Sequence, residues 1–159
     1  MFREMRRKGQ QLSREEAESI LQRNTSGVLA VIGDEGYPYA VPLSYVYKDS
    51  EIYFHCAKVG HKLDAILKES RVSFCVIDQD QIVPEKFTTY FRSVIAFGRA
   101  HVIEDAGEKR QAIEALAEKY SPGCEGRDQE IQGAFTSLCI IRMDIEHMTG
   151  KEARELRVN

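Results

Sequence analysis

Between Gly36 and Ile66 the chain reads GYPYAVPLSYVYKDSEIYFHCAKVGHKLDAI, and this run limits the fold more than any other part of the sequence. From Tyr37 to Tyr47 the odd positions are Tyr, Tyr, Val, Leu, Tyr and Tyr, and the even ones Pro, Ala, Pro, Ser and Val. Period-2 alternation of this kind specifies a strand with one bulky face and one mostly small face. Lys48–Ser50 turns the chain and Glu51–Ala57 returns as a second strand. That strand runs out into Gly60-His61-Lys62, where Leu63, Ile66 and Leu67 take up helical spacing to about Glu69. A helix start offers unpaired N–H groups and partial positive charge, and glycine permits close approach. Lys58, His61 and Lys62 crowd the same end, where positive charge is unfavourable by about 0.3–1 kcal/mol. A bound anion removes that conflict, so a phosphate site is expected at the end of the strand.

Ser13 followed by Glu16 is a capping box opening a helix to about Asn24, and Val28–Ile32 is a short apolar strand before the turn Gly33–Gly36. Arg71–Ile77 is another strand, followed by a polar loop over Asp78–Lys86. Thr88–Glu104 is long and mostly β-prone, with Gly98 suggesting a bulge or a bend in its middle. Asp105 caps a helix to Tyr120, a weaker helix follows Gly126, and Leu138–Ile145 is the last strand. The charged segment from Thr149 onward reads as a short helix or an ordered tail. Six or seven strands in antiparallel succession without a βαβ rhythm specify an α+β fold, a small β-barrel with peripheral helices, made by residues 1–159 as one domain. A barrel of this size fills its interior with side chains, so a large ligand is expected outside it, as at a subunit interface.

The net charge of −3 argues against a general affinity for nucleic acid, and the basic cluster Arg3, Arg6, Arg7 and Lys8 reads as a solvated tail. No apolar run approaches the roughly 20 residues that span a bilayer. The start of the chain lacks the apolar centre of a secretory signal, so a cytoplasmic location is expected. Cys56, Cys75, Cys124 and Cys139 form no C-x-x-C pair and read as small hydrophobes, with Cys124 alone expected to be exposed. Pro42 sits inside a strand pattern and cannot donate to a ladder. It marks either an edge against aggregation, or a break where the backbone groups of Leu43, Ser44 and Tyr45 are free for a planar heterocycle. His55 lies with Tyr53 and Ala57 on the face opposite Phe54 and Cys56, a usual place for a hydrogen-bonded structural histidine. His101 and His147 read as structural or surface groups, and no Ser/His/Asp order, Walker loop, dinucleotide glycine fingerprint or H-E-x-x-H motif is present.

Taken together, GYPYAVPLSYVY, IYFHCAKVGHKLDAI, VSFCVID and FTTYFRSVIAFGRA resemble the pyridoxamine 5′-phosphate oxidase-like, FMN-binding split-barrel family, and within it the nitroimidazole-resistance branch. Met5–Lys8 and Thr149–Lys151 add to the likeness. The resemblance implies a homodimer of split barrels with FMN in clefts between the subunits. It lays Pro42, Leu43, Ser44 and Tyr45 along the isoalloxazine ring through backbone atoms, and has His55 and Ala57 line the strand leading to the phosphate. Gly60, His61 and Lys62, with Lys58 beside them, take the place of the family's phosphate-binding turn. Ser93 and Val94 approach the flavin from the neighbouring subunit, and His61 also matches a histidine on the substrate side. The chain has no Trp, ends in KEARELRVN, and carries Gly60-His61 where pyridoxamine phosphate oxidases carry Ser-Arg. The expectation is therefore an FMN-dependent reductase of small electrophiles such as nitroaromatics, drawing on reduced nicotinamide, and not an oxidase of vitamin B6. The alternatives are a non-catalytic flavin-binding protein or a haem- or deazaflavin-binding split barrel.

Overall fold

In the computed structural model, which describes residues 1–157, the alternating run Tyr37–Tyr47 is not one strand. It forms β2 (Pro38–Ser44) and β3 (Val46–Lys48), separated by Tyr45 alone. The other strands are β1 (Ser26–Ile32), β4 (Glu51–Ala57), β5 (Arg71–Val83), β6 (Thr88–Val102) and β7 (Leu138–Glu152). They make one seven-stranded antiparallel sheet in the order β2-β1-β5-β6-β7-β4-β3. The two outermost strands are thus neighbours in sequence, and a single residue must join the two edges. The sheet can satisfy that only by curling until its edges meet, and since β2 and β3 do not pair, the barrel stays split along that seam. The expected α+β split barrel is the fold observed.

Tyr45 is fully buried at the crossing. Its hydroxyl donates to Leu21 O at 2.6 Å. Its N–H donates to the Tyr120 hydroxyl at 2.9 Å, and its carbonyl accepts from Lys119 Nζ at 3.0 Å and lies 2.6 Å from the Tyr120 hydroxyl. The Tyr45 ring meets Phe74 edge-on at 4.9 Å, and Phe74 meets Phe54 at 5.1 Å, which carries the packing into the barrel interior. Such edge-to-face pairs add about 0.5–1.5 kcal/mol beyond area burial. Leu29, Val31, Val76, Val94, Ala96, Ile141 and Met143 fill the rest of that interior, as inward-facing alternate residues of their strands.

Three helices cover the barrel's openings and outer wall. α1 (Arg14–Arg23) carries the capping box expected at Ser13 and Glu16, and inserts Ala17, Ile20 and Leu21 into the core. α3 (Ala106–Tyr120), capped by Asp105 as expected, and α4 (Arg127–Ser137) pack on the outside of β4 and β7. They bury a second cluster, Val46, Tyr53, Ile113, Leu116, Ile131 and Ile140. The fourth, α2 (His61–Lys68), follows β4 with Leu63 and Ile66 buried. Gly98 sits at a register shift between β6 and β7, and a Cβ there would run into the Asp144 carbonyl, so the bulge needs a residue without a side chain.

Two expected boundaries differ. Asp78–Val83 is strand, not loop: it pairs with Thr88–Arg92 to lengthen the β5–β6 hairpin, which turns at Pro84–Lys86. The segment from Thr149 continues β7 through Glu152 and ends in a 3₁₀ turn, Arg154–Leu156, with Val158 and Asn159 outside the described residues. In both places alternation was hidden by charged side chains that the ladder tolerates. Asp78 is the extra residue of a β-bulge between Ile77 and Gln79. The bulge turns its carboxylate toward Arg23 (2.7 and 2.6 Å), Asn24 (2.8 Å) and Arg92 (3.3 Å). Its side chain is 9% exposed, and the Arg23 hydrogen bonds hold the carboxyl well down, from 3.8 to about 2. A carboxyl with a depressed folded pKa stabilises the fold above its unfolded pKa, and that contribution goes as pH falls through the folded value. Stability to urea is therefore expected to fall between about pH 4 and pH 2, and Asp78→Asn should be less stable at neutral pH with a flatter slope in that window. Parallel slopes for the two proteins would show that α1 is not tied down at this point.

Candidate functional site

The seam is where backbone groups remain unpaired. In β2 the bond from Gly33 N–H to the Tyr37 carbonyl (2.8 Å) sets the phase of the β1–β2 ladder. By antiparallel alternation Tyr39, Val41 and Leu43 then bond to β1, while Pro38, Ala40, Pro42 and Ser44 turn their backbone groups to the free edge. Pro42 lacks an N–H at a position where the ladder needs none, and it lies on an edge strand. Of the three residues expected to offer free backbone, only Ser44 does. Leu43 pairs with Gly27 and turns its half-buried side chain to the core, and the Tyr45 N–H and carbonyl are taken by Tyr120 and Lys119. That corrects the backbone role expected for Leu43 and Tyr45: one is held by the ladder and the other by the crossing.

Across the seam, His55 and Ala57 are exposed on the outer face of β4, as their alternation with Phe54 and Cys56 requires. Lys58 and Val59 are exposed on the bend that follows, with Val59 81% accessible. Gly60 is the N-cap of α2 at φ 146° and ψ 163°, a conformation open essentially to glycine alone. Space around its missing Cβ is empty, and no side chain caps the helix, so the first N–H groups of α2 face outward. His61 does not lean over this opening. Its ring stacks on Tyr39 at 4.2 Å, and Nε2 accepts a weak hydrogen bond from Asp34 N–H at 3.4 Å. A Cβ on Gly33 would approach that nitrogen to 3.0 Å. Lys58 and Lys62 flank the helix start in sequence, while His61 clamps α2 to β2.

Ser93 and Val94 stand apart from this group. They lie in β6 at the middle of the sheet, paired on one side with Ile77 and Val76 and on the other with Lys151 and Gly150. The Val94 side chain is wholly inside the barrel, while Ser93 is half-buried on the outer face. A single chain does not bring them to the seam.

Residues that sequence reasoning missed close the site from above. A cleft of about 370 Å³ runs from Ser44 and His55 under α3 and α4. Ile113, Leu116, Ala117 and Tyr120 form one wall. Their spacing of three, four and seven is the stripe of a core-facing helix, and it gave no sign that part of the stripe would line a cleft. Ile131, Ala134 and Leu138 form the other wall, with Glu130 at its edge. Beneath it, burial lowers the Lys119 ammonium to about 8, and its Nζ lies 4.0 Å from the Tyr45 ring centre. Burial, with Cys139 opposite on β7, pushes the Cys56 thiol up to about 11. Such a thiol is packing material rather than a nucleophile. Cys124 is exposed, as expected.

The arrangement is one that can hold an anion at a helix start and a flat group along an open strand edge. Replacing Gly60 with Ala should lower stability to urea by about 1–3 kcal/mol, because no L-residue tolerates this backbone conformation. An unchanged midpoint would mean that the bend relaxes freely.

No match to a curated protein was found. Among solved structures, a conserved hypothetical protein, Rv2991, from Mycobacterium tuberculosis superposes with a TM-score of 0.84 at 20% identity, covering 98% of this chain and 94% of that one. A "putative 5-nitroimidazole antibiotic resistance protein" from Bacteroides thetaiotaomicron gives a TM-score of 0.75 at 22% identity, over 89% and 86% of the two chains. An FAD-binding protein from Mesorhizobium loti gives 0.66 at 27% identity, over 90% and 96%. The family model described as pyridoxamine 5′-phosphate oxidase matches residues 13–152. With a split seven-stranded barrel and a match across that span, the chain belongs to the pyridoxamine 5′-phosphate oxidase family.

Proposed function

We propose that the chain binds FMN along the seam and works as a flavin-dependent oxidoreductase, reducing small electrophiles such as nitroaromatic compounds at the expense of reduced nicotinamide. The observation that carries this reading is the juxtaposition of an uncapped, glycine-opened helix start flanked by Lys58 and Lys62 with the unpaired edge of β2. The first suits a phosphate, through oriented N–H groups and two ammonium charges. The second suits the polar rim of a fused heterocycle. The solved structure named for FAD binding supports a flavin in this fold, and the one named for 5-nitroimidazole resistance supports a nitroaromatic acceptor.

Flavin, when bound, supplies hydride and electron transfer itself. The protein's part is then positional. The start of α2 with Lys62 would hold the phosphate, and the Ser44 N–H and the carbonyls of Pro42 and Ser44 would be the groups available to the ring. His61 keeps α2 docked on Tyr39 so that the two halves of the site stay in register. Fixed backbone dipoles of this kind stabilise charge that develops on a ring without needing a titrating side chain.

A second copy of the chain is part of the same reading. The outer face of the sheet carries Val28, Ile95 and Phe97 at 39–40% exposure and Ile77 at 62%. The ladder aligns Pro42, Val28, Cys75 and Ile95 on one rung, and Ala40, Ala30, Ser73 and Phe97 on another. An exposed apolar face of this kind supports a contact with a second copy, and Ser93 lies beside it next to Ile77.

Two measurements test the reading. Purified protein should take up FMN, with FAD run alongside, and the His61→Ala/Lys62→Ala variant should bind FMN roughly 10- to 100-fold more weakly, as loss of the Lys62 charge together with the His61 clamp on α2 implies. Absence of any flavin uptake, or a haem absorption band instead, would overturn the cofactor. In sedimentation the wild type should run at twice the chain mass and Ile95→Glu as a monomer. A monomeric wild type would remove the partner from the proposal.

A further inference from the structure

We infer that the cleft beneath α3 and α4 is the binding site of the electron acceptor, and that it takes a flat aromatic molecule of one or two rings carrying no negative charge. The inference rests on the flavin reading above. Ser44 and His55 belong both to the seam and to the mouth of the cleft, so a molecule in the cleft touches whatever lies along the seam. The remaining lining residues come from α3, α4 and the first residue of β7, none of which takes part in the phosphate cradle. The cleft therefore begins at the seam and leads away from it, as a second substrate's site must.

Its chemistry names the class of occupant. At about 370 Å³ the cleft falls in the range of small-ligand pockets. The Ile113, Leu116 and Ala117 side chains on one wall and Ile131, Ala134 and Leu138 on the other give it two apolar faces suited to a flat ring system. The Tyr120 hydroxyl is committed to the Tyr45 backbone. That leaves Ser44, His55 and Glu130 as the polar groups able to meet a ligand. Ser44 and His55 stand at the seam end and can donate hydrogen bonds to a carbonyl or nitro oxygen. Glu130 is the one carboxylate side chain of the lining, where Lys and Arg are absent, and it repels an anion. For a quinone the step is balanced: the quinone takes two electrons and two protons from the reduced flavin and leaves as the hydroquinone, with the flavin oxidised.

The test uses FMN-loaded protein, reduced photochemically without oxygen and mixed with 1,4-naphthoquinone or its anionic analogue 1,2-naphthoquinone-4-sulfonate. The neutral quinone should half-saturate the reoxidation rate at a concentration at least tenfold below the sulfonate. Ala134→Trp, which fills the cleft, should raise the half-saturating concentration of naphthoquinone at least tenfold with FMN occupancy retained. Glu130→Gln should narrow the gap between the two quinones at least threefold, and this arm decides if the tryptophan variant does not fold. An unchanged half-saturation in folded Ala134→Trp, or an unchanged gap in Glu130→Gln, overturns the inference. So does loss of FMN from a folded Ala134→Trp protein, since the cleft would then hold the flavin ring. Failure of the wild type to take up any flavin overturns the flavin reading itself, and is distinguished by the absence of flavin absorbance before any quinone is added.

Discussion

One residue, Tyr45, joins the two edges of the sheet, and the rest of the structure is arranged around that crossing. A strand that leaves one edge and must at once enter the other leaves no length for a loop, so the sheet itself bends to bring its edges together. The buried backbone polar groups at such a point lie outside any ladder and need partners of their own. Tyr120 and Lys119 from α3 supply them, and the Tyr45 hydroxyl in turn holds the Leu21 carbonyl in α1. Closure of the barrel and docking of the helices are therefore one event. This is why α3 lies where it does, over the outer wall of β4 and β7 rather than free in solvent.

The same crossing creates the site. Because β2 and β3 do not pair, β2 keeps an open edge, and β4 extends past the end of β3 with His55 and Ala57 exposed. A closed barrel would have consumed these groups in hydrogen bonds. The split leaves them beside a helix start that no side chain caps, and α3 and α4 roof the gap. A fold that binds through backbone edges and helix ends needs few diagnostic side chains, which accounts for a sequence without a catalytic motif.

Legibility followed the range of the interactions involved. The capping box at Ser13, the N-cap at Asp105, the irregularity at Gly98, the glycine at the start of α2 and the alternation that exposes His55 and Ala57 were all readable, because each is set by neighbours a few residues away. The break at Tyr45 was not. Its alternation with Leu43 and Tyr47 is perfect, and only the pairing of β2 with β1 and of β3 with β4 shows that the pattern serves two different edges. For the same reason Leu43 and Tyr45 looked free and are not. The His61 ring is drawn away from the helix start by Tyr39 and Asp34, which precede it by more than twenty positions.

The sequence by itself determined the strand and helix types, the inward and outward faces, the glycine that opens α2 and the family likeness carried by Gly36–Ile66 and the later strands. Those features are encoded in backbone geometry and in the two periodicities of local structure. Tertiary structure alone decided which edges stay unpaired, which basic groups remain at the helix start, and that the stripe from Ile113 to Tyr120 lines a cleft as well as a core. Those features depend on contacts between residues far apart in the chain, whose partners no periodicity names until the sheet has closed.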